Sequence, residues 1–104
     1  MITYDYDQFI EDINSGRIAE VYFSVKGYGH YRSCYIKRYP DRLKSGYPFM
    51  KIEVCLTSDG SESAYFVNTF RDNNKFFKMG RSRGACTFKD IWNQIEISKI
   101  VYNE

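Results

Sequence analysis

Hydrophobic and polar positions repeat with two different periods along this chain. In "DYDQFIEDINSG" the residues Tyr6, Phe9, Ile10 and Ile13 fall at i, i+3, i+4 and i+7, which is one face of an amphipathic helix. Asp5 is placed to cap that helix with Gln8 three residues on, and Gly16 to end it in the left-handed conformation that glycine tolerates. From "RIAEVYFSVK" onward the period becomes two. Ala19, Val21, Phe23 and Val25 line one face while Glu20, Tyr22, Ser24 and Lys26 line the other, the mark of a strand with one buried side. Gly27, Tyr28 and Gly29 form a hairpin connection, and "HYRSCYIKRY" returns as a second strand. After the loop "PDRLKSGYP", the run "FMKIEVCLT" alternates again with Met50, Ile52, Val54 and Leu56 inward. "SDGS" turns the chain and "ESAYFVNTF" is a fourth strand.

The C-terminal third changes character. "RDNNKFFKMG" predicts a helical turn or short helix from about Asn73 or Asn74 to Met79, stopped by Gly80. "TFKDIWNQI" predicts another helix, with Phe88, Ile91, Trp92 and Ile95 on one face and Thr87 and Asp90 as a capping-box variant. The tail "EISKIVYN" has β-branched content and either adds a fifth strand or packs irregularly. The expected fold is therefore a single α+β domain over residues 1–104: an N-terminal helix, an antiparallel meander of four to five strands, and short C-terminal helices packed on one sheet face.

Composition agrees with that picture. A chain of 104 residues is long enough for one core that buries roughly two-thirds of its unfolded surface. It holds 10 tyrosines and 8 phenylalanines, and Leu43 and Leu56 are its only leucines, a balance that suits pleated, half-buried surfaces. The same residues, with Ile, Lys and Asn, are those of AT-rich codons and hint at a low-GC genome. Cys34, Cys55 and Cys86 are odd in number and without CxxC spacing, which argues against a structural zinc site and a disulfide framework. They read as small core residues in a reducing compartment. The opening "MITYDYDQFIEDI" is acidic where a signal peptide needs a basic and then an apolar run, and no stretch approaches the ~18 apolar residues of a membrane span. The expectation is a soluble, cytoplasmic protein that does not enter membranes.

The net charge of +2 hides a segregation. Residues 1–25 set Asp5, Asp7, Glu11, Asp12 and Glu20 against Arg17 alone, whereas residues 26–51 set Lys26, Arg32, Lys37, Arg38, Arg42, Lys44 and Lys51 against Asp41 alone. A second basic block, residues 71–89, contains Lys78, Arg81 and Arg83. If the two blocks met in space they would form one positive surface that attracts an anionic partner. Scattered over solvated faces, the same residues would do no more than keep the chain in water.

Three candidate chemistries follow. On the second strand His30, Arg32, Cys34, Ile36 and Arg38 alternate with Tyr31, Ser33, Tyr35, Lys37 and Tyr39. A row of Tyr31, Tyr35 and Tyr39 beside Lys37 can stack bases while cations hold phosphate, or simply support a sheet or a homodimer interface. "GRSRG" precedes the Thr87 helix start, so Arg81 and Arg83 could complete an anion site there, although its spacing matches no phosphate-loop motif. His30 with Glu53, Arg32 and Tyr31 supplies the acid, base and cation of a ribonuclease-like toxin, but no nucleophile elbow, HExxH or metal-ligand spacing accompanies them. No cofactor is implied.

"MITYDYDQFIEDINSG" followed by a strand, together with the terminal "FKDIWNQIEI", resembles short uncharacterised proteins of low-GC Gram-positive bacteria and their phages. The resemblance covers about the first 25 residues and the last 20. It implies a mobile-element or accessory gene, and among such genes small non-enzymatic binders that block a host defence protein or sequester its nucleotide signal. The leading expectation is accordingly an anti-defence inhibitor, not an enzyme. Its anionic partner would be a bacterial effector protein, a nucleotide signal or nucleic acid, held by His30, Tyr31, Arg32, Tyr35, Lys37, Arg38, Tyr39, Lys78, Arg81 and Arg83. A single-stranded nucleic-acid-binding protein is the first alternative and the ribonuclease-like toxin the second.

Overall fold

The N-terminal helix forms where its pattern places it. In the computed structural model, which describes residues 2–27, 31–39, 51–58, 61–78 and 85–103, α1 spans Tyr6–Ser15. Asp5 accepts from the Gln8 amide at 3.1 Å, and Gly16, at φ 86°, returns its N–H to Ile13 O at 3.2 Å. The positive φ favours glycine there, and a Cβ would also lie 3.1 Å from Arg38 Nε. The helix buries Phe9, Asp12 and Ile13. Asp12 is tolerated inside because Tyr4 donates its hydroxyl to it, Gln8 Nε2 donates at 2.9 Å, and Arg17 stands 4.0 Å away. These partners, Tyr4 foremost, hold the Asp12 carboxyl below its ordinary range against the opposing effect of burial.

Among the described residues seven strands follow: β1 Ile18–Val25, β2 Cys34–Arg38, β3 Ile52–Ser58, β4 Ser61–Val67, β5 Lys75–Lys78, β6 Ala85–Thr87 and β7 Ile95–Tyr102. Five make one antiparallel sheet in the order β4-β3-β2-β1-β7, and β5 pairs with β6 in a separate ribbon. The first four strands are the expected meander, and β7 resolves the open reading of the tail by pairing with the free edge of β1. A bulge between Ile18 and Glu20 shifts the start of β1, so Ile18 is buried where the alternation expects Ala19. The hairpin connection Tyr28–Gly29, the loop 40–48 with Met50, the Asp59–Gly60 turn and the segment 79–84 lie outside the described residues.

Two expected helices are not seen among the described residues. The segment read as a helical turn before Met79 is strand β5, which pairs with β6 and carries a bulge at Phe76, so that the adjacent Phe76 and Phe77 are both buried in the core. Phe76 packs on Tyr65 and Phe70, Phe77 on Phe23, Tyr31 and Phe88. At "TFKDIWNQI" the capping box does form, with Thr87 N donating to Asp90 Oδ2 and Asp90 N to Thr87 Oγ1, both at 3.1 Å. It initiates turns and one 3-10 turn at Trp92–Gln94 instead of a helix. One turn already buries Phe88 and Ile91, and Ile95 is taken by the ladder opposite Val25.

The core lies between the sheet and the layer formed by α1, the β5–β6 ribbon and the 3-10 turn. Val21, Phe23, Val25, Cys34, Ile36, Ile52, Val54, Leu56 and Ile97 face it from the sheet. Phe88 is its hub, in ring contact with Phe9, Phe23, Phe70, Phe77 and Trp92 at 5.4–6.2 Å. Its truncation to Ala would cost about 3–5 kcal/mol. Two polar clamps fix α1 over that core. Asn14 Nδ2 donates to Phe70 O at 2.8 Å while Phe70 N donates to Asn14 Oδ1 at 2.7 Å, and Tyr6 donates to Asp72 at 2.7 Å. No helix among the described residues is long and apolar enough to cross a membrane.

Candidate functional site

Because every packed element lies on one side of the sheet, no helix or strand among the described residues covers the other side. Strand alternation decides what stands there. The ladder aligns two rows across five strands: Phe66, Glu53, Lys37, Glu20 and Val101, then Ala64, Cys55, Tyr35, Tyr22 and Lys99. Phe66 is 48% exposed, unusual for so large an apolar side chain. Cys55 is buried beneath its neighbours despite its position on this side.

The polar groups of the open face satisfy one another. Tyr39 donates to Glu53 Oε2 at 2.6 Å and Tyr35 reaches Glu53 Oε1 at 3.5 Å. Tyr22 donates to Glu20 at 3.1 Å, and Lys37 Nζ stands 3.9 Å from Glu20 and 4.6 Å over the Tyr35 ring. Lys99 Nζ lies 5.8 Å over the ring of Tyr22, whose centroid is 6.2 Å from that of Tyr35. The result is a sheet of aromatic rings interleaved with paired charges of both signs. The hydrogen bond to Glu53, then burial, pushes the Tyr39 hydroxyl up to about 12. Tyr35 is raised as well, by its hydrogen bond with Cys55 first and burial second.

The structure brings only part of the expected site together. Tyr35, Lys37 and Tyr39 lie on the open face, and Arg32 is exposed on the bend that precedes β2. Tyr31 is not in their row. Residues 32 and 33 form a bend, so strand alternation starts only at Cys34, and Tyr31 is buried with its ring edge-on to Phe77 at 5.4 Å. Its carbonyl accepts from Val25 N at 3.0 Å. Arg38 turns to the core side, where its Nη1 donates to Ile13 O at 3.0 Å and Asn14 O at 2.7 Å. There it caps α1, whose own last turn holds no basic residue. Lys78 ends β5, pairing with Ala85 in the ribbon and not in the five-stranded sheet that carries Lys37. His30, Arg81 and Arg83 lie outside the described residues.

Sequence reasoning missed Tyr22, Phe66 and Lys99. Tyr22 was accessible in principle, because a two-strand register through the Gly27 turn places it opposite Tyr35. Lys99 was not, since its place depends on β7 returning to β1. Cys34, Cys55 and Cys86 are free thiols, the first two buried, and no group of three potential metal ligands occurs among the described residues. Comparisons with protein-family models, curated proteins and solved structures find no match to this chain.

Proposed function

We propose that this chain is a non-enzymatic binding protein that docks a folded protein partner on the open face of its five-stranded sheet. The observation that carries the reading is that this face combines half-exposed Tyr22, Tyr35 and Tyr39 with exposed Phe66 while its charges are already paired. Aromatic anchors surrounded by polar groups are the composition of protein interfaces. A polyanion would meet Glu20, Glu53 and Glu96 as well as Lys37 and Lys99, so charge complementarity favours a partner surface of mixed sign. Tyr35 and Tyr39 are moved away from neutral pH and not toward it, the reverse of what proton transfer at that pH demands. With the context implied by the two chain ends, the partner is an effector of a bacterial defence system and binding inhibits it.

The test is native mass spectrometry of the protein recovered from its source cell beside a Tyr22→Ser/Phe66→Ser variant. A stoichiometric protein partner retained by the wild type and lost from the variant is expected. A partner retained equally by both contradicts the reading. A second reading, single-stranded nucleic acid, draws on the cations set over Tyr35 and Tyr22. It predicts recovered nucleic acid whose affinity falls steeply with salt, whereas the protein interface predicts a shallow dependence.

A further inference from the structure

At one end of the open face the sheet is interrupted on both sides of β1. β2 begins only at Cys34, after the bend at Arg32 and Ser33, and β7 shifts register between the partners of Tyr22 and Phe23, leaving Ser98 as the extra residue of a bulge. Between these interruptions lies a cleft of ≈ 430 Å³ whose lining includes Tyr22, Ser24, Arg32, Ser33, Tyr35 and Ser98. That volume falls within the ~300–1,000 Å³ of small-molecule sites. We propose that the cleft binds a mononucleotide, a nucleobase carrying one sugar and one phosphate.

Each part of such a ligand has a counterpart in the lining. The rings of Tyr22 and Tyr35, tilted 50° with centroids 6.2 Å apart, present aromatic surface to a planar base. Their hydroxyls are directed to Glu20 and Glu53 in the neighbouring row, and Lys37 and Lys99 each stand over one ring face, so a base would stack on rings already backed by a cation. Ser98 Oγ donates its proton to Tyr22 O at 3.1 Å and so offers lone pairs, which suits a sugar hydroxyl as donor. Arg32 brings a guanidinium, the group best matched to phosphate, and the Ser24 and Ser33 hydroxyls can donate beside it. No carboxylate is among the described lining residues. Around the rim, Lys99 over Tyr22 adds a cation, and Glu96, opposite Ser24 in the ladder, is the opposing charge. Among the described residues, the guanidinium in the lining and the ammoniums over Tyr22 and Tyr35, with Lys37 already 3.9 Å from Glu20, suit a single phosphate.

The full chain, without any protein partner, is titrated by heteronuclear NMR with adenosine and uridine monophosphate, adenosine, inorganic phosphate and a thymidine oligomer. This outcome is therefore independent of whether the sheet docks a protein. The monophosphates are expected to shift the amides of Ser24, Ser33 and Ser98, and to bind at least about ten-fold more tightly than either the nucleoside or phosphate alone. Arg32→Gln, at an exposed position, should bring monophosphate affinity down to that of the nucleoside, and Tyr35→Leu should weaken nucleoside and monophosphate alike. Phosphate binding as tightly as the monophosphates overturns the proposal, as does an Arg32→Gln variant that binds them unchanged. Binding of the oligomer without binding of the monophosphates overturns it in favour of a strand.

Discussion

Replacing Arg38 by Met separates two roles that its sequence context left together. In the structure its guanidinium serves α1, donating at 3.0 Å to Ile13 O and 2.7 Å to Asn14 O, carbonyls that the helix cannot satisfy internally. Ile13 O keeps the Gly16 N–H at 3.2 Å after the change, but Asn14 O loses this donor. A hydrogen bond to a charged group contributes about 1.5–3 kcal/mol, and a cation at a helix C-terminus another ~0.3–1 kcal/mol. Arg38 is half-buried, so water recovers part of this, and about 2 kcal/mol is the expected loss for Arg38→Met. Met keeps an unbranched apolar stem beside Gly16, which confines the change to the polar head. Arg38→Lys retains the charge without the fork and should lose about half as much. Urea unfolding reads the effect as a midpoint lowered by ~1 M at unchanged slope for a chain of this size. A midpoint that does not move, together with weakened partner binding, would refute the capping argument and return Arg38 to the binding surface.

Other outcomes follow from the same contacts. Asn14→Ala leaves the N–H and C=O of fully buried Phe70 without these two partners, an expected loss of about 2–4 kcal/mol by denaturant titration; a loss below about 0.5 kcal/mol would mean the clamp is idle. Tyr39, at about 12 in the folded chain against about 10 unfolded, favours folding fully below pH ~10, and that contribution is lost as pH rises through 12. Tyr39→Phe should remove one late-ionising phenol from the ultraviolet titration, and a Tyr39 that ionises near 10 would contradict its bond to Glu53.

Local chemistry was legible where one residue decides the outcome. Asp5, Gly16 and the spacing of Phe9 and Ile13 specify α1 unaided, and the alternation of β1 and β3 specifies which side is buried. The misread segments share one feature, namely that tertiary partners outweigh local pattern. Phe76 and Phe77 are extended because β5 pairs with β6 and both rings join the core, and the Thr87–Asp90 box starts only turns and one 3-10 turn before Ile95 joins β1. For the candidate site, Tyr35, Lys37 and Tyr39 were readable as one side of β2, while Arg38 could not be seen as a cap before the β2–α1 distance was known. The two-residue bend before Cys34 removed Tyr31 from the row, and no residue type there announces it.

The claim on which the functional account turns is that the uncovered side of the sheet is the interface. Hydroxyl-radical footprinting of the complex with its partner tests this directly, because side chains on both sides of the molecule report. Phe66, Tyr22, Tyr35 and Tyr39 should become protected, while Tyr102 and Ile2, exposed at 47% and 38% and away from the two rows, should react as in the free protein. Protection of Tyr102 and Ile2 with Phe66 and Tyr22 unchanged would contradict it.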